Sequence, residues 1–144
     1  LSKDTFDHFY FIEASIKMGV SYQIQGRINE GFYDTSVEQT LNREFCYWKE
    51  IRHRIFDIIK GKRLPLSCKI VLGLSKQSIS YLIAHNNSSF REEDIEGIYV
   101  NILYDPKNLL ITTGISYKNF SLDKSLEYAF DEYLAKFLKE KAVI

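Results

Sequence analysis

The residues with most chemical potential fall on a run that reads as one long helix. On a helical wheel Leu41, Trp48, Ile55 and Ile59 share a narrow sector, and Glu44 and Arg52 fall in it one turn either side of Trp48. A charge on an apolar stripe is costly unless it is paired, so the pattern admits two readings. In one, Arg52 grips an anionic ligand, Glu44 acts as acid or base, and Trp48 stacks on the substrate. In the other the cluster is structural: Arg52 stacks on Trp48, pairs with a carboxylate or marks a helix break near His53.

Charge supplies a second candidate. Residues 42–69 hold eight Lys and Arg (Arg43, Lys49, Arg52, Arg54, Lys60, Lys62, Arg63 and Lys69) against Glu44, Glu50 and Asp57, a local excess of five positive charges in a chain whose formal net charge is +0. Lys60-Gly61-Lys62-Arg63-Leu64-Pro65 reads as an exposed basic loop that binds phosphates by charge and counterion release. Cations also suit a helix C-terminus, so the same loop reads equally as helix-stabilising. The acidic run Glu92, Glu93, Asp94 and Glu96 is its counterweight and could attract the loop or a second copy of the chain.

Asp4, Asp7 and His8, with Glu13, are residue types that ligate metals. Asp7 and His8 are adjacent, and no Cys/His or HExxH-like spacing supports them, so neither a metal nor a cofactor is expected. There is no glycine-rich phosphate loop, no nucleophile elbow and no zinc pattern. A catalytic site assembled from distant residues leaves no such trace, so the chain is read neither as an enzyme nor as a non-enzyme on this ground.

The elements that must position these residues follow from periodicity. Phe9–Lys17 alternates as a strand, with Tyr10, Ile12, Ala14 and Ile16 on one face, and a second strand covers residues 22–28. Thr35-Ser36-Val37-Glu38 is a capping-box pattern opening a helix that runs to Lys60, with Gly61 as a left-handed stop. A third strand spans residues 66–74, where Leu66, Cys68, Ile70 and Leu72 alternate inward. Ser75 caps a short helix to His85, carried by Ile79, Leu82 and Ile83. Ser89-Phe90-Arg91-Glu92 suggests one helical turn. Two strands, 98–104 and 109–116, meet at the turn Asp105-Pro106-Lys107-Asn108. The final helix, 122–141, has an apolar stripe of Leu122, Leu126, Phe130, Tyr133, Leu134, Phe137 and Leu138. The fold class is therefore α+β: a mainly antiparallel sheet of about five strands with helices packed on one face, in the order β-β-α-β-α-β-β-α.

A length of 144 residues suits one domain, and 45% hydrophobic content with 26% charge is ordinary for a globular chain. The ten Phe, ten Tyr and Trp48 imply a ring-rich core. Cys46, placed on the outer side of the long helix, and Cys68 form no disulfide framework, and a free thiol suits a reducing compartment. No apolar run approaches the ~20 residues that span a bilayer, and no signal peptide is visible. The expectation is a cytoplasmic protein without membrane association.

Thr5-Phe6-Asp7-His8-Phe9, Glu13-Ala14-Ser15-Ile16, Ile59-Lys60-Gly61-Lys62-Arg63 with Pro65, and Leu122-Asp123-Lys124-Ser125-Leu126-Glu127 resemble a family of short bacterial proteins catalogued as a domain of unknown function. The resemblance covers nearly the whole chain. It implies a bacterial, cytoplasmic protein and a short strand and helix preceding Leu1, but no activity and no catalytic residues. The favoured function is then a non-catalytic binding module whose basic loop, with Lys60, Lys62, Arg63 and nearby Arg54, meets nucleic acid or an acidic protein surface. An enzyme using Glu44, Trp48 and Arg52, and a homo-oligomeric structural protein, are the alternatives.

Overall fold

The computed structural model of the chain describes residues 4–33, 43–86 and 89–140. Five strands form one antiparallel sheet: β1 (Tyr10–Lys17), β2 (Ser21–Gln25), β3 (Ser67–Gly73), β4 (Ile95–Tyr104) and β5 (Leu109–Tyr117), in the spatial order β2-β1-β3-β4-β5. Among the described residues three α-helices accompany them: α1 (Trp48–Ile59), α2 (Lys76–His85) and α3 (Ser125–Glu140). Single turns of 3-10 helix lie at Asp4–Phe6 and Glu92–Asp94. Class and element order are those expected from the sequence.

Cross-strand register explains why one sheet face is buried. Ala14 lies opposite Ile70, Ile70 opposite Ile102, and Ile102 opposite Ile111. Directly opposed residues point to the same side, so this row and the parallel row Phe11–Leu72–Val100 build one apolar face. Trp48 and Ile55 of α1, Leu82 of α2, and Phe130 and Leu134 of α3 join the same core. The other face carries Glu13, Ser15, Gln23, Lys69 and Thr112 toward solvent. Thr113 of β5 donates to Asp131, tying α3 to that edge of the sheet.

Strict alternation fails in β1. Phe11 pairs with Leu72 and Glu13 with Val71, so Ile12 is an extra residue in a bulge. Phe11 therefore joins Ala14 and Ile16 in the core, and the expected face sharing of Tyr10 and Ile12 with Ala14 is corrected. Gly26 sits against this bulge, where its N–H donates to the Ile12 carbonyl at 2.8 Å. A Cβ there would fall 1.8 Å from the Phe11 carbonyl oxygen, so only glycine fits.

The long helix is also corrected. Its expected cap at Thr35–Glu38 and its first turns lie outside the described residues. Residues 43–47 are not helical: Glu44 lies at a bend, Phe45 and Tyr47 form isolated antiparallel bridges with Arg27 and Tyr10, and α1 begins only at Trp48. The chain here is wedged between two partners. Phe11 N–H donates to the Cys46 carbonyl, Cys46 N–H to the Gly26 carbonyl, and Trp48 N–H to the Phe9 carbonyl. Aromatic residues favour such pleated settings, and Tyr47 meets the Tyr10 ring at 5.5 Å. Cys46 accordingly sits half-buried in extended backbone, not on a helix surface, and burial pushes its thiol pKa up.

Other boundaries moved less. α1 does end before Gly61, but Lys60 is extended and Gly61 has φ +152°, so the stop is not left-handed helical. Leu66 is exposed just ahead of β3, so it does not share the inward alternation of Cys68, Ile70 and Leu72. Ser75 Oγ accepts the Ser78 N–H and caps α2 as expected. The single turn expected from Ser89 is capped at Arg91, whose N–H donates to the Asp94 carboxylate. Leu122 precedes α3 and is 82% exposed, so the apolar stripe starts at Leu126.

Candidate functional site

The Glu44–Trp48–Arg52 group depended on a helix that continues through Glu44. With residues 43–47 outside any helix, the three side chains take separate settings. Glu44 is exposed and pairs with Arg27 at 3.3 Å. Trp48 is 0% exposed, packed against Phe11 and edge-on to Phe56. Arg52 faces Asp7 at 3.3 Å, a carboxylate pairing. Asp7 is thereby a partner for α1, while Asp4, His8 and Glu13 are exposed. Among the described residues no group of three His, Cys, Asp or Glu could hold a metal ion.

Glu44 does line a depression beside Tyr10 and Tyr99, at the start of α2. Burial, foremost, raises both tyrosine pKa values, and the Glu44 charge adds to each. The depression is only ≈ 100 Å³, well under a typical small-molecule site.

The N-terminal end of α1 consumes its charges internally. Arg43 grips Glu50 with two N–H···O bonds of 2.8 and 2.9 Å and lies over the Tyr47 ring at 4.4 Å. Glu50 also accepts the Tyr47 N–H at 2.6 Å. The Arg43 hydrogen bonds hold the Glu50 carboxyl below its ordinary pKa.

The C-terminal end is different. Lys60, Gly61, Lys62, Arg63 and Leu64 are all exposed. Lys60 pairs with Asp57 one turn back at 3.0 Å. Among the described residues neither Lys62 nor Arg63 has an acidic partner. Arg54 is exposed on α1 itself. The basic loop is therefore an open cluster of cations, as the sequence suggested.

A cleft of ≈ 330 Å³ that sequence reasoning missed adjoins this loop. Its floor is the cross-strand patch Cys68, Ile70, Ile102 and Ile111. Phe6, Phe56, Ile59, the buried Pro65, the half-buried Tyr104 and the exposed Leu109 complete the lining. Ile59 and Pro65 are the two residues from which the basic loop springs. Among the described residues no charged one lines the cleft, and burial raises the Cys68 thiol pKa. Only the register between β3 and β4 places Ile70 beside Ile102, so no spacing in the sequence announces the cleft. The one local signal was apolar residues closely flanking a basic loop.

No described helix is long and apolar enough to cross a membrane. No curated protein and no solved structure matches the chain. A family model does match, over residues 1–144, and the chain belongs to that family, DUF5721, a family of unknown function.

Proposed function

We propose that the chain is a non-catalytic, cytoplasmic binding module that takes an anionic partner on the loop Lys60–Arg63. The observation that carries this reading is the exposure of Lys62 and Arg63 without acidic partners among the described residues. Arg43 makes the contrast: there a cation is bonded to Glu50 and has little left for a ligand. Arg63 presents a planar fork suited to phosphate or carboxylate, and Lys60 and Lys62 add point charges. The affinity of such a surface falls with salt, because exposed charges are screened.

The test is a residue-resolved NMR titration with polyphosphate and with a short oligonucleotide, stepped through salt. Saturable shifts centred on residues 60–64 that weaken as salt rises, and vanish in a Lys62→Glu/Arg63→Glu variant, are expected. If both probes leave the loop unmoved at low salt, the reading fails.

A further inference from the structure

We infer that the cleft beside the loop binds the apolar tail of a single small amphipathic anion, whose carboxylate or phosphate head is held by Lys62 and Arg63. The inference rests on the loop's role as an anion site and adds the class of ligand.

Three observations converge. The cleft offers almost nothing to hydrogen-bond: among the described residues, the Tyr104 hydroxyl and Cys68 thiol are the only polar side-chain groups in the lining. Water in such a space lacks the two to four polar partners that hold it, so an apolar group displaces it favourably. The volume of ≈ 330 Å³ lies at the lower end of the range for small-molecule sites, room for one tail rather than a peptide or several acyl chains. The loop that carries the cations is anchored at both ends in the lining, by Ile59 and Pro65, and Leu64, Leu66 and Leu109 are exposed. Apolar depth, an apolar collar and rim cations match the order of tail, neck and head along an amphiphile.

The ligand chemistry is that of a monomeric fatty acid or alkyl phosphate, not a nucleic acid. A base needs an accessible ring to stack on, and of the aromatic residues in the lining Phe6 is buried and Phe56 and Tyr104 are half-buried. A membrane surface would engage the collar without filling the depth.

Calorimetric titration with octanoate, decanoate and dodecanoate, each below its micelle concentration, tests the inference. Affinity should rise about fourfold per added methylene until the cleft is full, the equivalent of ~0.8 kcal/mol per buried CH₂. Leu109→Trp, at an exposed position that tolerates bulk, should obstruct the mouth and weaken decanoate at least tenfold while polyphosphate still shifts the loop. Ile111→Phe, filling the floor, should do the same. Lys62→Glu/Arg63→Glu should weaken decanoate tenfold or more and leave neutral octanol within twofold. In a Cys46→Ser chain, bound decanoate should slow alkylation of Cys68.

Decanoate binding indifferent to chain length and to Leu109→Trp, with polyphosphate still bound, would overturn the cleft and spare the loop. Decanoate binding unchanged by the charge reversal would overturn the anionic head, while loss of the polyphosphate shifts at residues 60–64 is what overturns the reading of the loop. Binding to anionic vesicles but to no monomeric amphiphile would assign the surface to a membrane and overturn the inference. So would a ligand-free dimer, seen by light scattering, that Leu109→Trp dissociates while decanoate does not bind.

Discussion

The two ends of α1 are both rich in charge and differ in what the charge does. At the start, Arg43, Glu50 and Tyr47 form a closed set: two guanidinium bonds, a backbone N–H donated into the same carboxylate, and a ring under the cation. At the finish, Lys62 and Arg63 face water, and the exposed Lys60–Asp57 contact is the loop's one ion pair among the described residues. Charge density along a sequence therefore does not locate a binding site. What matters is whether folding brings a partner to each charge, because a bonded cation is already satisfied and an open one is not.

Substitutions should separate the two ends sharply, beginning with the residue that starts the helix. Trp48→Ala removes a fully buried ring from contact with Phe11 and Phe56 and should cost about 3–5 kcal/mol in urea denaturation. A cost under about 1 kcal/mol would mean the N-terminal end is not anchored by this ring.

Arg43→Ala comes next. The Arg43 side chain is only 10% exposed, and its loss leaves Glu50 with the Tyr47 N–H and the weaker pull of the Lys49 charge. The expected loss is about 1.5–3 kcal/mol, measured the same way. The contrast would collapse if Arg43→Ala were as mild as a change in the loop.

Acid should act on the same set. The Glu50 pKa is lower folded than unfolded, so its contribution is fully present above the ordinary glutamate pKa and is lost as pH falls through the depressed folded value. Glu50→Gln should be less stable than the parent at neutral pH, and the two should converge toward acid. Parallel stability curves for parent and variant would show that Glu50 is not the titrating group.

The smallest stability effect belongs to the loop. Lys62→Ala/Arg63→Ala should change unfolding free energy by no more than about 0.5 kcal/mol, as is usual for surface positions without such features, yet abolish salt-sensitive polyphosphate binding. Strong destabilisation would recast these two residues as structural and make the two ends of α1 alike.

The open end of α1 was legible in the sequence because Lys60, Lys62 and Arg63 are neighbours on the chain, and the glycine and proline among them argue against a continuing helix. The closed end was misread. Phe45 and Tyr47 fit a helical wheel as well as a strand, and nothing local says that the bulge at Ile12 and the backbone of Gly26 will accept that strand. Glu44 was consequently placed on an apolar stripe when its side chain is exposed and reaches Arg27. Leu122 was overcounted for a related reason: periodicity does not mark where a stripe loses its helix.

Local pattern by itself determined the class, the order of strands and helices, the Asp105–Asn108 turn, the Ser75 cap and the basic loop, since each depends on neighbours within a few residues or on one repeating period. The tertiary structure alone decided the bulge that turns Phe11 inward, the separation of Glu44, Trp48 and Arg52, and the cleft floored by Cys68, Ile70, Ile102 and Ile111. These depend on register between strands far apart in the chain, and a one-residue shift in register sends every side chain of a strand to the opposite face.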